Sequence, residues 1–177
     1  ICFGGSRAHD YAMRNAGKSY LEIAKAGGGI WDTVTQTRKA SQKELVEGIV
    51  KRANWHLENG TTTIEVKSGY GLSLPEELKM LRAIKEANAM VASDMIPTCL
   101  AAHMLPKDFQ GTAVAYLEVM GYQIFPILKE ENLAHRIDAF VEESAFSALQ
   151  IAPYFQKARA MGFDITVHAD QFTTGGS

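Results

Sequence analysis

Apolar and polar positions alternate in a few short runs of this chain and recur at helical spacing in the longer stretches between them. Thr61–Val66 is β-branched and reads as a strand, and Met95–Leu100 and Ile137–Val141 read the same way. Phe163, Ile165 and Val167 alternate with Asp164 and Thr166, the period-2 pattern of a strand, and the run ends in His168-Ala169-Asp170-Gln171. Ile1-Cys2-Phe3 reads as the tail of a further strand or its exit, with Gly4-Gly5-Ser6 as the tight turn after it.

The strongest helix is 41–59. Ser41 and Glu44 form a capping box, Leu45, Ile49, Ala53 and Leu57 share one face, and Asn59-Gly60 ends it. Pro75 opens a helix through about residue 89, with Glu76 and Glu77 suiting the positive end of its dipole. Residues 111–131 are expected as helix in two pieces, broken near Gly121 and Pro126. Residues 147–161 form an amphipathic helix with Gly162 as its stop and Pro153 near its start or at a bend. Shorter helices are expected over 9–17 and from Ser19, the second broken by Gly27-Gly28-Gly29. No GK[ST] follows that triplet, so it reads as a loop or helix stop and not as a phosphate loop.

Strands that alternate with helices imply a parallel sheet with right-handed crossovers. Either a doubly wound sheet or a (β/α)8 barrel satisfies that order. Arg7, Tyr70, His103, Glu142 and His168 decide between them, because each falls just past the carboxyl end of a successive strand. In a barrel those ends share one mouth, whereas an open sheet strings them along an edge. No GxGxxG fingerprint supports a dinucleotide fold. The expected fold is therefore α/β, a partial (β/α)8 TIM-type barrel with about five βα units. A complete barrel needs about 250 residues, so residues 1–177 are expected to form part of a single catalytic barrel.

Composition narrows the picture without changing it. Hydrophobic residues at 46% and charged residues at 21% suit one core-forming domain or a piece of one. A net charge of -2 without a Lys/Arg cluster argues against nucleic acid. The longest apolar stretches are cut by Asp94, Pro97 and His103, so no membrane span or signal peptide is expected. Cys2 and Cys99 are far apart and suggest neither a disulfide framework nor a CxxC knuckle, which points to a reducing, cytoplasmic setting. The chain begins at Ile1 and stops just after its most site-like motif, which suggests part of a longer protein.

His168, on a rigid strand end, is a candidate metal ligand or general base; on spacing alone a structural histidine balances that reading. His103 occupies an equivalent place, and two histidines on converging strand ends favour a catalytic or metal cleft. Arg7 is either a bidentate carboxylate clamp or a surface arginine. Tyr70, between two glycines, is a substrate-facing hydroxyl or a loop-packing residue. Glu65 lies in an apolar strand and is expected buried and paired, with Lys67 as partner. Glu142 and Glu143 are supporting acids or strand-end solvation, and His9, His56 and His135 are surface or packing residues. HExxH, GxSxG and a Cys/His nucleophile pair are all missing, which favours a metal-activated water. A metal needs three or four ligands, and the chain offers one clear candidate.

Phe3-Gly4-Gly5-Ser6-Arg7, Gly27-Gly28-Gly29-Ile30, Thr37-Arg38-Lys39-Ala40-Ser41, Glu65-Val66-Lys67-Ser68-Gly69-Tyr70-Gly71-Leu72, Ala102-His103 and His168-Ala169-Asp170-Gln171 together resemble the imidazolonepropionase family of the amidohydrolase superfamily. The resemblance implies a metal-dependent barrel that opens the ring of 4-imidazolone-5-propanoate with water, giving N-formimidoyl-L-glutamate in histidine degradation. It implies one divalent ion per site, zinc or iron. By position, His168 corresponds to a metal ligand, Arg7 to the arginine that holds the propionate, and Tyr70 and His103 to substrate-binding residues. His103 is also the implied catalytic residue, placed to polarise the ring carbonyl. Gln171 falls at a substrate-contacting position that is Glu in some members; a glutamine there cannot act as a base. Asp170 is expected as a strand-end support.

The family's His-x-His pair would precede Ile1, and a further histidine and a metal-binding aspartate would follow Ser177. The small β-sandwich that the family builds from both termini would also lie outside. The 177 residues alone are thus expected not to turn over substrate. Superfamily analogy leaves a homodimer open as the assembly. Another cyclic amidase or deaminase of the superfamily, or a non-catalytic half-barrel binding module, are the alternative readings.

Overall fold

A computed structural model describes residues 1–19, 22–23, 26–142 and 145–171. In chain order the elements are α1 (Ala8–Asn15), α2 (Ile30–Lys39), α3 (Gln42–Glu58), β1 (Thr63–Lys67), α4 (Leu74–Asn88), β2 (Asp94–Ala102), α5 (Ala113–Glu130), β3 (Arg136–Val141), α6 (Ala148–Ala160), β4 (Asp164–Ile165) and β5 (His168–Ala169). All strand pairs are parallel, in the order β1-β2-β3-β4, with β5 also on β3. Strand order follows chain order, so the sheet contains no switch point of the doubly wound kind among the described residues.

β4 and β5 are two pieces of one strand. Ile137 pairs with Ile165 and Phe140 with His168, the same offset on both sides of the gap, and Thr166 N still donates to Ile137 O at 2.9 Å. The single run expected from the alternation is thus interrupted at 166–167. Its register survives the interruption, which keeps His168 in line with β3.

Alternate strand positions divide the sheet. Val66, Cys99, Ala101, Ile137, Ala139 and Val141 face the helices and join Leu45, Ile49, Leu81, Ile84, Leu117, Ile124 and Leu128 in one apolar core. At the intervening positions stand Glu65, Lys67, Thr98, Arg136, Asp138 and His168. The helices therefore cover one face with hydrocarbon, and the other face carries a polar layer that builds the site.

The capping box at Ser41 forms as expected, and Ser147 forms a second one with Gln150. Ser19 accepts from Glu22 N at 3.3 Å, although much of the short helix expected there lies outside the described residues. Two expectations differ from the structure, and one helix carries no signal in the sequence. Helix α5 runs unbroken through Gly121 and Pro126. Pro126 deprives only the carbonyl of Tyr122 of its donor, and both residues face solvent, where water can replace the bond. Ile1–Phe3 forms no strand: Arg52 takes the carbonyls of Ile1 at 2.7 Å and Phe3 at 3.0 Å, and Cys2 is buried in the core. Helix α2 was not anticipated, because its buried residues are Val34 and the threonines Thr33 and Thr37, which make no apolar stripe. Among the described residues no helix is long and apolar enough to cross a membrane.

Candidate active site

The polar layer converges on Asp138, whose side chain is 0% exposed in the middle of β3. Lys67 Nζ donates to its Oδ2 at 2.6 Å from β1, and His168 Nδ1 lies 3.2 Å from both its oxygens. Burial alone would raise the Asp138 pKa, but the bonds from His168 and Lys67 outweigh it and hold the carboxyl below its ordinary value. Burial likewise works against the Lys67 charge, yet Asp138 and Glu65 hold its pKa above the usual lysine value. Lower in the sheet, Glu65 accepts from Thr98 Oγ1 at 2.8 Å and pairs with Lys67 at 3.5 Å and Arg136 at 3.6 Å. Glu65 is paired as the sequence suggested but is not buried, because it stands on the polar face and not on the helix-covered one.

An ionised carboxylate can only accept, so Asp138 fixes the proton of a neutral His168 on Nδ1 and leaves a lone pair on Nε2. The ring is held flat by Phe140, its register partner on β3, stacked at 4.7 Å with an interplanar angle of 11°. His103 follows β2 directly, and its ring centroid lies 6.0 Å from that of His168. Its Nδ1 lies 2.8 Å from the carbonyl of Gly69, so this nitrogen is the donor and Nε2 of the neutral ring is an acceptor. Burial lowers the His103 pKa, against the opposing pull of the Gly69 bond. Tyr70 meets His103 edge-on at 5.3 Å. Burial raises the Tyr70 pKa, and the charge of Arg7 offsets part of that rise.

Arg7 reaches the same neighbourhood from the other side. With Tyr70, Asp32, Thr33 and Gln36 it lines a cleft of about 170 Å³. Its Nε donates to Asp10 Oδ2 at 2.8 Å, and Asp10 in turn accepts from Gly29 N at 2.8 Å. The glycine triplet therefore serves as a turn that braces Asp10 behind Arg7. Thr33 Oγ1 is buried and has no hydrogen-bond partner among the described residues.

Tyr70, His103 and His168 thus stand together, with Arg7 joined to them through the cleft it shares with Tyr70. Gln171 is placed differently: its backbone N donates to Glu142 Oε1 at 2.6 Å, while the residue itself is exposed. Glu142 is buried, so it supports the end of the strand and does not solvate it; Glu143 lies outside the described residues. Asp170 adopts a left-handed backbone, φ 53°, at the turn out of β5. Both cysteine thiols are buried, which pushes each pKa up to about 12 and leaves no thiolate for nucleophilic chemistry.

Two residues in this arrangement escaped the sequence reading. Asp138 is a charge between Ile137 and Ala139 in a buried strand, the same signal that singled out Glu65. Glu77, expected to suit the positive end of its helix dipole, is 0% exposed, and its carboxylate accepts the amides of Gly69, Gly71 and Leu72. Among the described residues no three His, Cys, Asp or Glu side chains gather as a metal-ligand set. His168 does suit a single ligand position, since Asp138 secures its Nδ1 and leaves Nε2 free for a metal.

The geometry defines a parallel α/β unit whose paired histidines and tyrosine meet at the carboxyl ends of its strands, with an arginine in the adjoining cleft. No family model matches the chain. Individual proteins do match it, over its whole length. It is 44% identical to the imidazolonepropionase of Myxococcus xanthus (strain DK1622) over 177 residues, 100% of this chain and 42% of that protein. It is 42% identical to that of Symbiobacterium thermophilum over 177 residues, covering 99% of this chain and 42% of the relative. For the Acinetobacter baumannii (strain ACICU) protein the identity is 42% over 176 residues, with 99% and 44% covered. End to end the chain is similar to imidazolonepropionases, as a part of that longer sequence. It spans 42–44% of the length of these curated relatives.

Proposed function

We propose that this chain supplies one side of the active site of a metal-dependent hydrolase that opens the ring of 4-imidazolone-5-propanoate to give N-formimidoyl-L-glutamate. The observation that carries this reading is the meeting of His168, His103 and Tyr70 at the strand ends, next to the Arg7 cleft. Those residues lie in a chain similar throughout to imidazolonepropionases. The parallel sheet then forms part of a (β/α)8 barrel of the amidohydrolase type, closed by strands outside residues 1–177. The unreversed strand order supports that architecture.

His168 would hold a divalent ion, zinc or iron, through Nε2, together with ligands from outside this chain. When bound, such an ion supplies a water of lowered pKa and polarises the scissile carbonyl. Arg7 takes the propionate carboxylate in charge-assisted hydrogen bonds, with the Tyr70 hydroxyl beside it. This anchors the flexible end of the substrate and leaves the ring above the two histidines. Water adds to the ring carbonyl carbon, the adjacent ring C–N bond breaks, and the departing nitrogen takes up a proton.

The Gly69 bond restricts what His103 contributes. With Nδ1 committed as donor, His103 polarises the carbonyl only as an imidazolium and otherwise accepts a ring N–H at Nε2. Gln171 contributes hydrogen bonding and no base. Turnover of 4-imidazolone-5-propanoate by the full-length protein tests the reading, with loss of activity expected in Arg7→Ala and His103→Ala. Conversion of another cyclic amide with no turnover of this one would refute it.

A further inference from the structure

The turn that carries Tyr70 is fastened from beneath by one buried acid. Glu77, in the first turns of α4, accepts the backbone N–H of Gly71 at 2.8 Å and of Leu72 at 2.8 Å on Oε1. The N–H of Gly69 reaches both oxygens, Oε1 at 3.2 Å and Oε2 at 3.0 Å. Burial raises the Glu77 pKa, while hydrogen bonds from Ser68, Leu72, Gly69 and Gly71 pull it back. No solvent reaches the group, so these donors have no substitute for it.

The backbone it holds is one the chain would not adopt unaided. Gly69 has φ 100° and Leu72 φ 53°, both in the left-handed region, and Leu72 is a buried γ-branched residue. A side chain on Gly71 would sit 2.5 Å from the backbone of Glu76 and Glu77, so the turn lies directly on α4. Arg38 clamps the same turn from outside by donating to Gly71 O at 2.6 Å. Ser68 ties it to β2 by accepting from Leu100 N at 3.0 Å.

This construction holds two parts of the site. The Tyr70 side chain projects from between the fastened amides of Gly69 and Gly71. The carbonyl of Gly69 is the group that holds His103 Nδ1. We propose that Glu77 is a positioning residue of the strand-end site, setting the Tyr70 ring and the His103 tautomer through the 68–72 turn. It touches no substrate itself. The proposal rests on the reading above for what Tyr70 and His103 do, and on the hydrogen bonds alone for how they are held.

The full-length protein carrying Glu77→Leu, Glu77→Gln or Tyr70→Phe, and each Glu77 change combined with Tyr70→Phe, tests it. Leucine fills the space and removes every acceptor, whereas glutamine keeps the oxygen that takes Gly71 and Leu72. Misplacing reacting groups by about 1 Å costs about a hundredfold, so Glu77→Leu should lower kcat/KM by about that factor. Glu77→Gln should restore it to within about tenfold. Tyr70→Phe should add little once Glu77 is leucine, because groups acting as a unit are non-additive. A folded Glu77→Leu protein within a few-fold of the parent, or costs that simply multiply with Tyr70→Phe, would overturn the proposal. If Glu77→Leu does not fold, Glu77→Asp carries the same cycle with the same two outcomes. If the parent protein does not turn over imidazolonepropionate, the functional reading fails and hydrogen exchange decides Glu77. Faster exchange in Glu77→Gln or Glu77→Leu confined to residues 69–72 would support the positioning role, and unchanged or uniformly faster exchange would overturn it.

Discussion

Asp138 stands directly behind His168: both of its carboxylate oxygens lie 3.2 Å from Nδ1 of the imidazole, and Lys67 secures the carboxylate from the opposite strand at 2.6 Å. A histidine so backed presents Nε2 as a lone pair in a fixed direction, the condition a metal ligand needs.

Asp138→Asn tests that relationship. The amide retains the shape but weakens the orientation of His168 and leaves Lys67 without its closest anion. Removing such a partner costs about 10- to 100-fold in metal affinity. Competition against a chelator in the full-length protein should show that loss, with His168→Ala losing more. Equal affinity in Asp138→Asn and the parent would place the metal elsewhere.

Arg7 makes a second prediction. Its guanidinium is braced by Asp10, and the cleft it shares with Tyr70 suits a carboxylate. A charge-assisted hydrogen bond contributes about 1.5–3 kcal/mol, so Arg7→Ala should lower kcat/KM by about 10- to 100-fold. Arg7→Lys should recover only part, because a point charge cannot replace a bidentate fork. A substrate analogue without the carboxylate should be handled equally by parent and variant.

The pH dependence of stability has a definite sign. Burial depresses the His103 pKa below its ordinary 6.5, so the unfolded chain binds the proton more readily than the fold does. The contribution of His103 is therefore fully present above pH 6.5 and is lost as pH falls through its folded value. Comparing Tm against pH for the parent and His103→Phe should show the parent losing ground to the variant on acidification below 6.5, and holding a constant difference above it.

Pro126 supplies a test of the helix that continues where the sequence suggested a break. Its ring costs α5 one hydrogen bond, from the carbonyl of solvent-facing Tyr122. Proline is about 3 kcal/mol less favourable than alanine inside a helix, partly offset by its stiffening of the unfolded chain. Pro126→Ala should therefore stabilise the protein, by about 1–2 kcal/mol, in denaturant unfolding. A loss of stability would mean that the proline sets a bend the packing requires.

How much of this was legible in the sequence differs between fold and site. Helix α3 announced itself because it buries one face, which imposes a period on its apolar positions, whereas β1 to β3 stand out as short β-branched or apolar runs, and β3 is buried on both faces. Helix α2 stayed hidden because it buries threonines, which carry no apolar signal. Ile1–Phe3 resembles a strand tail in sequence because burial of Cys2 looks the same whether a strand or an arginine takes the neighbouring carbonyls. In the site, Tyr70, His103 and His168 could be picked out because glycines or strand ends mark them. Asp138 and Glu77 could not be assigned their partners by position alone. What each does depends on Lys67, His168 or the 68–72 amides, which only the parallel register and the turn bring within reach.

We propose hydrolysis of one ring at a metal-dependent site of which this chain provides a part. The most direct measurement follows 4-imidazolone-5-propanoate in the presence of the full-length protein by mass spectrometry, before and after chelation and metal restoration. The expected result is conversion to N-formimidoyl-L-glutamate with the gain of one water, abolished by the chelator, restored by zinc or iron, and lacking in residues 1–177 alone. Full-length protein that is folded and metal-loaded yet leaves the ring intact would contradict it.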